Sequence, residues 1–197
     1  MNLPNRITVT RIVLSFFILI LLCFPFEVVG YEFPKYIVNG TITVDLRFVI
    51  SCGLFVIASL SDMLDGFIAR KTNKVTDFGK VMDAIADKIL VNGVLIILAY
   101  YGFISLFIPV VIITRDTFVD AFKGIIGEHK GAVGASLTGK IKTVFMMFGV
   151  SLMLIYNLPF ELYGLRVADF LILVATALSV YSGVEYYIAA KPYFKTK

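Results

Sequence analysis

Four aspartates in a strongly apolar chain are the residues best equipped for chemistry. The stretch Ser61-Asp62-Met63-Leu64-Asp65-Gly66-Phe67-Ile68-Ala69-Arg70 is followed by Asp77-Phe78-Gly79-Lys80-Val81-Met82-Asp83-Ala84-Ile85-Ala86-Asp87. Asp62 and Asp65 stand three apart and Asp83 and Asp87 four apart, so helices through them set each pair on one face. A short basic turn separates the pairs, and two helices joined there bring four carboxylates together at one end of the membrane. One aspartate inside a membrane helix costs about 2.5–3.5 kcal/mol on insertion scales. Four that repel one another cost on the order of 10 kcal/mol, comparable with the stability of a whole domain. Arg70, Lys80 and Lys88 relieve only part of this. Divalent cations relieve more, and an all-oxygen donor set selects Mg²⁺, Mn²⁺ or Ca²⁺ over zinc. Helix capping and pairing with flanking bases is the bland alternative, but capping needs no such convergence. Gly66, Gly79 and the small Ala69 leave room for a phosphate-bearing ligand to approach the backbone.

The elements that must hold these acids are membrane helices. Of 197 residues, 59% are hydrophobic and only 16% charged, against about 45–50% and 25% in soluble domains. With a mean hydropathy of +0.91, a disordered tail, a disulfide scaffold and an ordinary cytosolic enzyme are excluded. Apolar stretches recur at Ile7–Phe26, Phe48–Leu64, Ile85–Tyr101, Phe103–Phe122, Val144–Leu158 and Val167–Ile188. Each approaches the roughly 20 residues that cross a bilayer. The expectation is an all-α integral membrane protein of six transmembrane helices, forming one domain over residues 1–197. Tyr101-Gly102 is read as the shortest connection, closing spans three and four into a tight hairpin. The N-terminal run lacks a small-residue cleavage site and is read as a span, not a signal peptide.

Charge placement orients the chain. Arg6, Arg11, Arg70, Lys71, Lys74, Lys80, Lys123, Lys130, Lys140, Lys142, Lys191, Lys195 and Lys197 fall on one side, and Lys35, Arg47 and Arg166 on the other. This alternation puts both termini and the acids on the basic, cytoplasmic side. The net charge of +4 then addresses anionic lipid headgroups, not nucleic acid. Cys23 and Cys52 have no ligand-spaced neighbours, so neither a zinc site nor a disulfide is expected. His129, the sole histidine, falls in a basic loop and reads as a solvated residue. Phe and Tyr read as interfacial anchors and lipid-facing packing.

A second group of polar residues is Ile113-Thr114-Arg115-Asp116, then Lys123, then Gly139-Lys140-Ile141-Lys142-Thr143. Arg115 lies about two turns inside the fourth span. An arginine there needs an anion, either Asp116 or Asp120 or a ligand. With Lys123, Lys140 and Lys142, which also suit positive-inside anchoring, it offers a phosphate pocket beside the carboxylates.

Asp62-x-x-Asp65-Gly66-x-x-Ala69-Arg70, eight residues, Gly79-x-x-x-Asp83-x-x-x-Asp87 resembles the signature of the CDP-alcohol phosphotransferases at every fixed position. The resemblance implies an enzyme that moves a phosphatidyl or phospho-alcohol group from a cytidine diphosphate donor to an alcohol, releasing CMP. It also implies six membrane helices, two bound divalent cations (Mg²⁺ or Mn²⁺) and a homodimer. By the same resemblance, Asp62 and Asp83 bridge both ions, Asp65 completes the first, and Asp87 touches the second and takes the hydroxyl proton. The contacts to CDP-diacylglycerol carry over to Asn5, Thr8, Gly66, Ala69, Arg70, Thr76 and Gly79. Almost the whole chain is similar to the bacterial members that make phosphatidylglycerophosphate from sn-glycerol 3-phosphate. The supporting stretches are Asn2-Leu3-Pro4-Asn5, Ser59-Leu60-Ser61-Asp62, Gly139-Lys140-Ile141-Lys142-Thr143 and Ser182-Gly183-x-Glu185-Tyr186. Asp116 and Lys123 stand where Glu and Arg are usual, and Ala84 where Pro is usual; a lysine keeps charge but loses bidentate geometry.

Other readings are members accepting phosphatidylglycerol, serine or inositol phosphate, and a divalent-cation transporter. A transporter would place acids near mid-membrane, often in a repeated half. Here they cluster at one end and no second half mirrors them.

Overall fold

In the computed structural model, residues 3–72, 77–131, 134 and 136–195 are described, with side chains except at 3–7, 62–72, 77, 78, 80, 81, 130 and 195. Among these residues there are six α-helices: α1 Leu3–Cys23, α2 Leu46–Thr72, α3 Asp77–Tyr100, α4 Phe107–Lys130, α5 Leu137–Leu154 and α6 Val167–Ala190. Each corresponds to one apolar stretch of the sequence. By length and composition α5 and α6 suffice to cross a membrane, while α1 and α2 contain shorter apolar segments, Thr8–Cys23 and Leu46–Ser61.

Local chemistry explains the boundaries. After α1, Pro25 cannot continue a helix, and a 3-10 turn over Phe26–Val29 closes at Gly30, whose φ of 79° suits glycine. Asp45 caps α2: its Oδ1 accepts from the backbone N–H of Arg47 at 2.9 Å. Ser136 caps α5, its Oγ accepting from the N–H of Gly139 at 3.1 Å. Beyond α5, Asn157 donates to Glu161 Oε2 at 2.9 Å and Leu165 O at 2.6 Å. Its side-chain Oδ1 accepts from Ala168 N at 3.0 Å, tying the turn to the first residues of α6.

The helices form two connected sets. α1 packs against α2 and α3, α6 packs against α5 and α4, and α2 meets α5 between them. Ile18, Leu22, Phe55, Val94, Leu98, Met146, Val150 and Ile172 fill the shared core. At the α5–α6 seam, a Cβ on Gly149 would lie 2.7 Å from Ile172 Cγ1 and 3.1 Å from Ile172 N. Backbone on one side leaves little slack, so Gly149→Val is expected to cost about 1–3 kcal/mol by overpacking. Thermal unfolding in detergent checks this; an unchanged midpoint would mean the seam is looser than described.

Four expectations change. The chain is not purely helical: Lys35–Val38 (β1) and Ile42–Asp45 (β2) pair antiparallel, with Val38 opposite Ile42. Asn39 and Gly40, at φ 50° and 73°, supply the left-handed backbone for that turn. Tyr101-Gly102 does not close a tight hairpin, since α4 begins only at Phe107 and α3 packs mainly on α1 while α4 packs mainly on α6. α2 ends at Thr72 and α3 begins at Asp77, so the shorter connection lies there. α5 starts at Leu137, well before the apolar run at Val144, because the Ser136 cap extends the helix through Lys140 and Lys142. His129 lies in the last turns of α4, not in a loop, exposed and with its ring centroid 4.9 Å from that of Tyr193.

Candidate active site

The site is built around the start of α3. An unbroken helix from Asp77 to Tyr100 carries Asp83 and Asp87 one turn apart, on one face. Asp83 accepts a hydrogen bond from Arg11 of α1. The arginine side chain is 2% exposed and the carboxylate 44%, so one partner is embedded and the other open. Thr8, one turn before Arg11, is also buried. The α1–α3 packing thus places Thr8 and Arg11 beside the acids.

Asp62, Asp65, Gly66, Ala69 and Arg70 lie in the second half of α2, where the continuous helix keeps Asp62 and Asp65 on a common face. Their side chains, and that of Asn5 on α1, lie outside the described residues, as does Thr76 altogether. Gly79 falls in the first turn of α3.

Next to Asp87 opens a cavity of about 200 Å³, whose lining includes Lys88, Arg115, Asp116, Lys123 and Lys142. That is below the roughly 300–1,000 Å³ of drug-sized ligand sites, so its occupant is small. Three of the four expected phosphate-pocket residues meet here. Lys140 does not: it is exposed and absent from the lining.

Asp116 accepts from Arg115 Nη1 at 2.6 Å and from Lys142 Nζ at 3.3 Å. One carboxylate therefore holds two cations in place, and the local-partner reading of Arg115 is realised by Asp116, not Asp120. Asp120 pairs with Lys88 instead. Lys123 has no carboxylate partner among the described residues; its Nζ sits 5.1 Å from the ring centroid of Tyr186, a cation–π distance. The lining carries Lys88, Arg115, Lys123 and Lys142 against Asp87, Asp116 and Asp120, a surplus of one positive charge. An anion is the natural complement.

Sequence reasoning missed several of these residues. Arg11 was counted only as a marker of the basic side, yet an arginine within the apolar run Ile7–Phe26 was itself a signal for a buried partner. Ser182 and Tyr186 belonged to a recognised stretch without an assigned role; their spacing of four places both on one face of α6.

The carboxylate pairs of α2 and α3 are of the hard oxygen type that divalent cations take; among the described residues, which leave out the α2 aspartate side chains, no group of three such ligands stands together.

The family model for CDP-alcohol phosphatidyltransferases matches residues 1–186. A Bacillus subtilis protein named CDP-diacylglycerol–glycerol-3-phosphate 3-phosphatidyltransferase is 38% identical over 94% of this chain and 93% of its own. A Rickettsia felis protein of the same name is 33% identical over 98% of this chain and 97% of its own. The family is membrane-associated and in general divalent-cation dependent. With the aspartates in the signature spacing and a basic cavity beside them, the chain belongs to the CDP-alcohol phosphatidyltransferase family.

Proposed function

We propose that this protein transfers the phosphatidyl group of CDP-diacylglycerol to sn-glycerol 3-phosphate, giving phosphatidylglycerophosphate and CMP. The observation that carries the choice of acceptor is the convergence of Arg115, Lys123 and Lys142 on one small cavity bordered by Asp87. A neutral or zwitterionic acceptor such as serine has no use for that surplus of positive charge. The names of the relatives point to the same pair of substrates.

In this reading Asp62, Asp65, Asp83 and Asp87 hold two divalent cations, Mg²⁺ or Mn²⁺. When bound, they neutralise the diphosphate and stabilise the attacking and leaving oxygens of an in-line displacement. The chain's own residues do the rest. Arg115, Lys123 and Lys142 bind the acceptor phosphate, with Asp116 steadying two of them. Lys140, on the exposed face of α5, serves only the surrounding field. Bound there, the acceptor has its primary hydroxyl directed toward Asp87, whose carboxylate takes the proton as that hydroxyl's oxygen attacks the phosphatidyl phosphorus. The bond from that phosphorus to the CMP oxygen breaks and CMP departs. Asn5, Thr8, Gly66, Ala69, Arg70, Thr76 and Gly79 hold the nucleotide end of the donor.

The remaining proposals concern setting. All six helices span the membrane as one domain over residues 1–197, with both termini and the site on the cytoplasmic side, and the protein works as a homodimer. The alternation of basic residues supports this orientation.

Offering purified protein a panel of alcohols tests the acceptor. CMP release is expected with glycerol 3-phosphate and to be lower by more than about a hundredfold with serine, inositol phosphate or phosphatidylglycerol. It should stop on chelation and return with Mg²⁺ or Mn²⁺. Equal turnover with serine would refute the acceptor assignment.

A further inference from the structure

The acceptor cavity is bounded by α3, α4 and α5, which carry its cations, and by α6, which contributes none. α6 instead presents Ser182 and Tyr186 to it, one turn apart and both buried. Neither side chain is charged, and a structural role in helix packing would be the simplest account. Their partners point elsewhere.

Ser182 Oγ accepts from Arg115 Nη2, on the opposite side of the guanidinium from Asp116, which engages Nη1. The planar fork is thereby held at both ends. With its oxygen taken by the arginine, Ser182 is free to direct its hydrogen to Ser136 Oγ, 3.4 Å away. Ser136 is the residue that caps α5. Arg115 is therefore fixed in register with the start of the helix that carries Lys142. Beside this contact, a Cβ on Gly183 would lie 3.0 Å from Arg115 Cγ. The glycine lets the arginine stem lie close against α6.

Tyr186 does the corresponding work at the other cation. Its hydroxyl accepts from Ser136 N at 2.9 Å and donates to Gly134 O at 3.0 Å. Its ring meanwhile faces Lys123 Nζ at 5.1 Å. Fixed at its tip, the ring supplies a steady seat for an ammonium that lacks a carboxylate partner among the described residues. Flexible lysine heads lose much rotamer freedom on binding an anion, so a seat of this kind favours binding more than chemistry.

We infer that Ser182 and Tyr186 are the positioning residues of the acceptor-phosphate pocket, Ser182 acting through Arg115 and Tyr186 through Lys123. The inference rests on the reading of this cavity as the acceptor site and deepens it: specificity for a phosphorylated acceptor is set partly from α6, by two uncharged side chains.

Steady-state kinetics of the full-length enzyme in lipid nanodiscs, with CDP-diacylglycerol and either glycerol 3-phosphate or glycerol, test it. Ser182→Ala is expected to raise the KM for glycerol 3-phosphate about tenfold, the worth of a hydrogen bond to a charged group. The donor KM and kcat should stay within about twofold, because the pocket binds without entering the bond-making step. Tyr186→Phe keeps the ring and should raise the acceptor KM less than Tyr186→Leu, which removes it. In a double-mutant cycle Ser182→Ala should add little to Arg115→Ala, since its effect runs through that arginine.

A uniform fall in kcat with both KM values altered would assign these residues a merely structural role and overturn the inference. So would an unchanged acceptor KM in Ser182→Ala and Tyr186→Leu, or full additivity with Arg115→Ala. Should Ser182→Ala fail to fold, the Tyr186→Phe and Tyr186→Leu comparison decides alone. Failure of the underlying reading has its own signature: a wild-type enzyme that uses glycerol as well as glycerol 3-phosphate.

Discussion

Replacing Asp87 with asparagine is expected to lower phosphatidyl transfer by at least about a thousandfold while leaving the helical fold intact. Two losses combine. Proton removal by a positioned base contributes typically about 10²–10⁴-fold, and a neutral amide also weakens a site that needs carboxylates to hold its cations. Asp87 borders the acceptor cavity, one turn from Asp83, so of the two signature acids with described side chains it is the better placed to meet an acceptor hydroxyl. An amide of the same size keeps the packing of α3, so the helical fold should persist. CMP release under saturating substrates measures the first effect, and circular dichroism with thermal unfolding measures the second. A variant with near wild-type turnover would remove Asp87 from the chemistry.

Arg115→Ala should act on binding instead. Its side chain is 13% exposed and shares Asp116 with Lys142. Truncating one side of a buried, hydrogen-bonded charge pair between binding partners, here the arginine facing the acceptor phosphate, costs about 2–5 kcal/mol. Read out as acceptor affinity, that is a KM for glycerol 3-phosphate raised from about thirtyfold to a few thousandfold. The donor KM should move little, because the described residues among the proposed nucleotide contacts lie on α1, α2 and the start of α3, and not on α4. Arg115→Lys should recover only part of the loss, since an ammonium cannot reach Asp116 and Ser182 from one rigid plane. A matched rise in both KM values would show that the arginine supports the bundle as a whole and not the acceptor.

Much of the architecture was legible along the chain because it is encoded locally. Each apolar stretch became a helix, since a long, mostly apolar run satisfies its backbone groups most readily within itself. Where the reading slipped, a local rule had been outweighed or overlooked. α5 runs seven residues further back than its apolar core because the Ser136 cap starts the helix ahead of Lys140 and Lys142. The β1–β2 hairpin was announced by Asn39-Gly40 between β-branched runs, a signal hidden by attention to hydropathy. The expected α3–α4 hairpin failed for a different reason: a short connection limits separation but does not choose packing partners, and α3 settled mainly on α1 and α4 mainly on α6.

The aspartate signature, the helical skeleton and the segregation of basic residues needed nothing beyond the order of the amino acids. Each depends on residues within a few turns of one another, where helix geometry converts spacing into direction. Only the tertiary structure brought Arg11 to Asp83, 72 residues away, and Arg115 to Ser182, 67 away. It also excluded Lys140 from a pocket that Lys142, two positions on, helps to line. Contacts at such range follow from which helix faces pack together, a choice made by the whole core at once and written in no single stretch of sequence.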